Sequence, residues 1–340
     1  MKYRQLGKSG LLVSCLGLGT MIFGEDSPRS TPEAEALQII DRYLDQGGNH
    51  IDTANVYAGG KSEEIVGKAL QGKKRDQITL ATKVRGITGP GPNDRGLSRY
   101  HIMNSVAASL RRLQTDVIDL LYVHMWDSLT PLEETLRALD DLIQDGKVRY
   151  IGVSNFKAWQ IMKALGVSDA HGWGRFVAAQ LQYSLVCRDI EREYSDLCLS
   201  EGVGIMPWGP LGGSFLTGKY RPEHRPLSAN EGRLGWSPPE HEESWDRRAT
   251  DRNWNILAAV DQISKDHPGA SYSQVALAWL LAQSAVSSVI FGARTLEQLE
   301  DNLGAAELVL SPEEIELLNN LSAIEEGYPY RLLRLYSTRP

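Results

Sequence analysis

The sequence predicts a single-domain α/β protein, a closed (β/α)8 TIM barrel, on three observations. Its 340 residues exceed an average domain of roughly 100–200 residues. Eight short apolar segments alternate with helix-like ones. Strand after strand ends in a polar residue that chemistry can use. Near-continuous apolar strands joined by helical crossovers imply a parallel sheet buried on both faces, and eight such units fit a closed barrel better than two open sheets.

The elements follow from hydrophobic period. Ser14–Leu18 reads as the first strand. Thr31 as N-cap and Pro32 at the first helical position open a helix over Pro32–Gln46, which stops at Gly47-Gly48. His50–Asp52 is a short strand, Glu63–Leu70 a helix and Gln77–Lys83 (QITLATK) a strand. Helix Arg99–Leu113 leads to strand Val117–His124 (VIDLLYVH), then helix Leu132–Gln144 to strand Val148–Val153. Helix Ala158–Leu165, strand Phe176–Gln180, helix Ile190–Glu201 and strand Val203–Pro207 keep the order, and strand Ser288–Phe291 completes the eight. Residues 208–250 break the rhythm with Gly, Pro, His, Arg, Trp236 and Trp245, so a long loop, either an active-site lid or a disordered insertion, is expected after strand seven. One domain is expected over 1–340, with a core from about 3 to 325 and a tail over 326–340. From Ile324 onward the chain is aromatic and basic, suited to docking on the barrel or on a second copy in a homo-oligomer.

Composition excludes several function classes. At 42% hydrophobic and 23% charged the chain is an ordinary soluble one, and 36 basic against 43 acidic residues leave a net charge of −7. Without a run of five or six like charges, neither nucleic acid nor an anionic membrane surface is an expected partner. Cys15, Cys187 and Cys198 share no metal-ligand spacing and are odd in number, which predicts free thiols, no zinc or other metal, and a reducing, cytoplasmic setting. Lys2, Arg4 and Lys8 before the apolar Leu11–Gly24 stretch imitate a leader, but Ser14, Gly17, Gly19 and Thr20 interrupt it and no A-x-A signal follows. No run of eighteen apolar residues predicts a membrane span.

Asp52, Lys83, His124, Ser154-Asn155 and Gln180 close strands two to six. Taken singly they read as an N-cap, a surface lysine and a satisfied buried histidine. In a barrel, however, the C-terminal strand ends converge on one mouth.

Six segments in order, NHIDTANVYAGGKSEEIVGKAL, TKV, LLYVHMWD, GKVRYIGVSNF, MPWGPLGGSFLTGKY and GARTLEQLEDNL, resemble the aldo-keto reductase family from about residue 3 to about residue 325. The resemblance implies an (α/β)8 barrel, NADPH and carbonyl reduction, with a catalytic tetrad of Asp52, Tyr57, Lys83 and His124. The chemistry accounts for these types. When hydride reaches a carbonyl carbon the oxygen becomes an alkoxide that needs a proton, and a tyrosine of pKa about 10 is a poor donor near neutrality. Lys83 beside Tyr57 is expected to lower that pKa, Asp52 to hold Lys83, and His124 to donate a hydrogen bond to the carbonyl oxygen.

A two-domain dehydrogenase would carry Gly-x-Gly-x-x-Gly after its first strand; Gly17-Leu18-Gly19-Thr20-Met21-Ile22 has only two of the glycines. The resemblance instead assigns Thr20, Met21 and Asp52 to the nicotinamide ribose, and Ser154, Asn155 and Gln180 to the carboxamide. Trp208 would stack on the nicotinamide. Gly209, Pro210, Leu211 and Gly213 would cover the pyrophosphate, with Lys219 supplying positive charge. Gly292 opens the last cofactor segment, Arg294 is the candidate for the 2′-phosphate, and Gln298, Asp301 and Asn302 would face the adenine. NADPH is predicted over NADH.

Selectivity is expected from loops 23–28, 85–98 and 208–250. Phe23, Tyr57, His124, Met125 and Trp126, with Met21, would line a mostly apolar pocket that favours bulky ketones, aromatic aldehydes or terpenoid carbonyls over small charged sugars. Two alternatives stay open. One is a redox-sensing regulatory subunit like the channel β subunits of this family, which keep the tetrad; the other is oxidation of a secondary alcohol in the reverse direction.

Overall fold

The computed structural model describes residues 1–25 and 27–336; Asp26 of the first expected loop and 337–340 of the tail lie outside the described residues. The chain opens with a hairpin absent from the sequence reading. β1 (Tyr3–Gln5) and β2 (Leu12–Ser14) pair antiparallel. The buried Leu6 and Val13 pack on Ala81, Leu120, Tyr122 and Met206, and Lys8 N donates to Gly202 O at 2.8 Å. The hairpin thus plugs the end of the barrel where the strands begin.

The barrel then runs β3 (Leu16–Gly19), α1 (Glu33–Asp45), β4 (His50–Asp52), α2 (Lys61–Ala69), β5 (Thr79–Val84), α3 (Arg99–Leu113), β6 (Ile118–Val123), α4 (Leu132–Gln144) and β7 (Val148–Ser154). It continues with α5 (Ala158–His171), β8 (Phe176–Gln182), α6 (Tyr194–Glu201) and β9 (Gly204–Trp208). After α7 (Arg233–Trp236), α8 (Trp245–Arg248), α9 (Asp251–Asp266) and α10 (Tyr272–Leu281) come β10 (Val289–Phe291), α11 (Leu296–Gly304), α12 (Pro312–Leu321) and α13 (Tyr330–Tyr336). The eight strands from β3 to β10 pair in parallel, in the order β10-β3-β4-β5-β6-β7-β8-β9. Ile205 closes the ring: its N donates to Ala285 O and its O accepts from Ser287 N, both at 2.9 Å. This is the predicted (β/α)8 barrel.

Several boundaries differ for physical reasons. The first expected strand breaks at Cys15, because Ser14 ends the hairpin and Leu16 starts the barrel. Thr31 does not cap α1. Pro32 holds the N-cap position, while Thr31 N donates to Ile22 O and Thr31 O accepts from Gly24 N, so its backbone belongs to the turn after β3 and its hydroxyl is buried without a partner. α5 runs on to His171 and stops at Gly172, whose φ of 66° allows the left-handed cap. The expected helix from Ile190 is interrupted at Glu193, so a 3-10 turn over Asp189–Arg192 precedes α6. The 208–250 segment is not structureless: besides α7 and α8 it has 3-10 turns at Phe215–Thr217 and Ala229–Glu231, anchored by buried Phe215, Leu216, Tyr220, Leu234 and Trp245.

Tyr43 shows how helix and barrel are locked. Wholly buried, it donates to Leu16 O and His50 O at 2.8 and 2.9 Å and accepts from His50 N at 3.2 Å, joining α1 to the first two barrel strands. Its ring fills the space where a Cβ on Gly48 would lie, 2.2 Å away, so only glycine fits there. The tail docks through Tyr330 Oη on Glu193 at 2.7 Å and leaves Leu332, Leu333 and Leu335 exposed. No described helix is long and apolar enough to cross a membrane.

Candidate active site

β4 delivers Asp52 and β5 delivers Lys83 to the mouth as paired neighbours in the sheet. After Asp52 the chain turns sharply: Ala58, Gly59 and Gly60 have φ of 49°, 64° and 99°, a left-handed run that returns Tyr57 over the barrel. Lys83, 0% exposed, donates from Nζ to Asp52 Oδ1 at 2.5 Å, Thr53 O at 2.8 Å and Tyr57 Oη at 3.1 Å. Three donors meet three acceptors, so the buried ammonium is fully satisfied. Asp52 Oδ2 accepts from Gln180 Nε2 at 2.8 Å. The four strand-end residues Asp52, Lys83, His124 and Gln180 are therefore brought together, with Tyr57.

Electrostatics departs from expectation at Tyr57. Burial raises its pKa, Lys83 lowers it and Asp52 raises it again, with a net upward shift. The ammonium moderates the effect of burial without overturning it. Burial alone would lower the Lys83 pKa, but Asp52 and Tyr57 together raise it, so it stays charged. His124, just past β6, is pushed down to about 3 by burial first and then by Lys83 and Arg85. It is a neutral imidazole, its ring 6.0 Å from the Tyr57 ring in an edge-on arrangement.

The amide of Asn155, a residue at φ 53°, is bonded within the protein. Its Nδ2 donates to His124 O and Ser154 Oγ, both at 3.0 Å, and its Oδ1 accepts from Trp208 Nε1 at 3.2 Å. It positions the His124 backbone and the half-buried Trp208 ring; its two N–H donors are used, and Oδ1 keeps one acceptor position. Gln180 Oε1 and the Ser154 hydroxyl proton also keep capacity for a carboxamide. Thr20 is not open to a ribose: its wholly buried hydroxyl bonds Ser62 Oγ at 2.8 Å and Asp52 O at 3.2 Å, tying β3 to β4 and α2. Met21 is half-buried at the strand end.

Phe23 leaves the expected pocket, because its ring is 0% exposed within the hydrophobic core. Trp126 spends its ring on Phe156 and Trp159, at 5.0 and 6.0 Å, while Met125 is 45% exposed. In the turn after β9, Gly209, Gly212, Gly213 and Ser214 all have φ between 57° and 70°, with Pro210 buried and Leu211 half-buried. Lys219 is exposed, with Nζ 5.0 Å from the Tyr220 ring centre. Gly292 is exposed with open space around it. Arg294 N donates to Gln298 Oε1 at 2.9 Å. Asp301 accepts from Ser271 and Gln274 and Asn302 donates to Gly292 O at 3.3 Å, so these two brace α11.

A phenol bonded to a buried, carboxylate-held ammonium, beside a neutral histidine, can pass its proton to an oxygen placed between Tyr57 and His124. The sequence reading missed Arg29, Arg233 and Glu243 at the same mouth, which carry no motif.

Comparison with known proteins assigns the chain to a family. The model of the Aldo/keto reductase family matches residues 15–323. The chain is 38% identical over 331 residues to the uncharacterized oxidoreductase YrpG of Bacillus subtilis, covering 94% of this chain and 96% of that protein. It is 36% identical to a "Probable voltage-gated potassium channel subunit beta" of Arabidopsis thaliana, covering 91% and 92%. It is 34% identical to the aryl-alcohol dehydrogenase [NADP(+)] of Phanerodontia chrysosporium, covering 97% and 88%. With a family model over nearly the whole barrel and such relatives along its full course, this chain belongs to the aldo/keto reductase family of oxidoreductases.

Proposed function

We propose that the protein reduces a ketone or aldehyde to an alcohol with NADPH, and that Tyr57 is the general acid. The observation that carries this reading is the bond from the Lys83 ammonium to the Tyr57 hydroxyl, 3.1 Å, with Asp52 holding the same ammonium. NADPH, when bound, supplies the hydride. Tyr57 gives its proton to the carbonyl oxygen; the ammonium beside it then stabilises the phenolate left behind. Neutral His124 donates a hydrogen bond to the same oxygen without competing for the proton.

The residues present fit the cofactor. Trp208 is held half-exposed by Asn155, Gln180 Oε1 has no partner among the described residues, and Lys219 and Arg294 stand exposed at the rim. Lys219, with the 209–213 turn, is suited to the pyrophosphate and Arg294 to the 2′-phosphate, and a relative named for NADP(+) supports the preference over NADH. The exposed Met125, next to His124, favours an apolar or aromatic carbonyl. We place the protein in the cytoplasm on its three free cysteines.

NADPH oxidation against a panel of ketones, aldehydes and sugars tests this. Turnover with apolar carbonyls supports it; a protein that retains nucleotide but turns over none of them is instead the regulatory subunit that the channel relative suggests.

A further inference from the structure

Arg85 follows β5 directly, and its backbone has a φ of 120°, a region that an L side chain rarely adopts. Its neighbours hold it there. Gly86 packs so closely on the residue before Tyr57 that a Cβ on it would lie 2.2 Å from Val56 Cγ1, and Gly96 N donates to Arg85 O at 3.0 Å. β5 ends at Val84, whose O accepts from His124 N at 2.9 Å, so Arg85 and His124 leave the barrel on neighbouring strands. A strained residue fixed by its surroundings beside the site points to a function for its side chain.

Arg85 is half-buried, and its guanidinium makes no hydrogen bond or ion pair with any described residue; Nε is buried without a partner. Arg75, equally half-buried before β5, shows the satisfied case: it bonds Thr115 Oγ1, Ile78 O and Val117 O and pairs with Asp119. Asp127 feels the Arg85 charge but does not pair with it. Its oxygens take Leu97 N at 2.8 Å, Thr130 Oγ1 at 2.7 Å and Leu129 N at 3.0 Å. His124 feels the same charge, which helps to keep the imidazole neutral. A partly desolvated, always-charged fork at the barrel mouth thus lacks the anion that would offset its burial.

We propose that Arg85 is a specificity-determining residue that binds a carboxylate on the substrate, so that the carbonyl compound suited to this site is an aromatic or otherwise apolar aldehyde or ketone carrying an acid group, such as a formylbenzoate. This deepens the reductase reading above and rests on it; the binding of an organic acid by Arg85 stands without it. A guanidinium fork matches both oxygens of a carboxylate at once. That leaves the ring for Met125, 45% exposed beside His124, and the carbonyl oxygen for Tyr57 and His124.

The test measures, with NADPH, kcat and KM for benzaldehyde and the three formylbenzoate isomers, and by calorimetry the binding of the matching hydroxymethylbenzoates. The proteins are the wild type, Arg85→Met, Arg85→Lys and Arg85→Gly, with the Tm of each. The wild type should favour at least one formylbenzoate over benzaldehyde in kcat/KM. Arg85→Met should cut that preference about tenfold or more, mostly through KM, and weaken the matching hydroxymethylbenzoate to the same extent; Arg85→Lys should cut it less. Arg85→Gly should lose the preference as well while Tm holds or rises, because glycine takes a positive φ freely. An unchanged preference in Arg85→Met, equal losses for benzaldehyde and formylbenzoate, or a Tm that falls in Arg85→Gly along with the preference overturns the proposal. If hydroxymethylbenzoates bind through Arg85 but no carbonyl is reduced, the acid site stands and the reductase reading fails. Reduction without any preference for an acid leaves that reading intact and removes this one.

Discussion

Gln180 donates its amide to Asp52 at 2.8 Å, across 128 residues of chain, on the carboxylate oxygen that Lys83 leaves free. Because a carboxylate only accepts, this bond sets the amide's orientation and turns Oε1 outward as an acceptor. It also keeps both Asp52 oxygens occupied, so the carboxylate is held in place for Lys83. Gln180→Leu should lower kcat about tenfold, the order of one hydrogen bond to a charged group. It should also shift the pH profile of reduction. Steady-state rates across pH check this; a lower affinity for nucleotide with kcat and profile unchanged would confine Gln180 to binding.

The Gln180 bond marks the boundary of what was legible in the sequence. That Asp52, Lys83, His124 and Gln180 end strands followed from apolar runs of strand length, and convergence followed from counting eight. Which donor meets which acceptor did not follow, because pairing across the barrel depends on register and stagger that no local pattern encodes. Phe23 and Thr20 failed for a related reason: sequence position put them at the mouth, but their side chains face the core and the α2 contact. Arg29 had no periodic or motif signal, and its stacking on Trp236, 207 residues away, is set by the fold alone. The 208–250 segment looked structureless because its helices are single turns, too short for a period to register.

Tyr57→Phe should cut carbonyl reduction by about 10²–10⁴ while leaving the nucleotide Kd nearly unchanged. Burial holds the phenol pKa above its usual value, so the acid remains protonated through neutrality and wild-type reduction should fall only on the alkaline side. Removing the ammonium in Lys83→Met deletes the influence that lowers that pKa, so the alkaline limb should move to higher pH as the plateau drops. A limb that moves to lower pH would refute the role given to Lys83.

Lys83→Met also leaves Asp52, 2% exposed, as an unpaired buried carboxylate. Breaking such a pair from one side costs about 3–5 kcal/mol, whereas replacing both partners by apolar groups is often far milder. The double variant Lys83→Met/Asp52→Leu should therefore be more stable to urea than Lys83→Met alone. Equal midpoints for the two would mean that water or rearrangement already screens Asp52.

The neutrality of His124, held down near pKa 3, predicts a reduction rate without a limb near pH 6.5. Between pH 5 and 8 kcat/KM should be flat, and a rise or fall of one unit slope centred near 6.5 would show that the imidazole titrates in the free enzyme and that burial does not isolate it.

Acid should destabilise the barrel through His50. His50 sits wholly buried in β4 with both ring nitrogens unpartnered. Burial pushes its pKa down to about 4, with Asp52 and Asp119 opposing and Lys83 assisting. The unfolded chain, with an ordinary value near 6.5, binds the proton first. Stability from the neutral ring is thus complete above pH 6.5 and is lost as pH falls from 6.5 towards 4, amounting to about 3 kcal/mol by linkage. His50→Leu removes the titrating group and should flatten this loss. Urea midpoints at pH 7, 6, 5 and 4.5 compare the two proteins. Parallel declines would overturn the role given to His50.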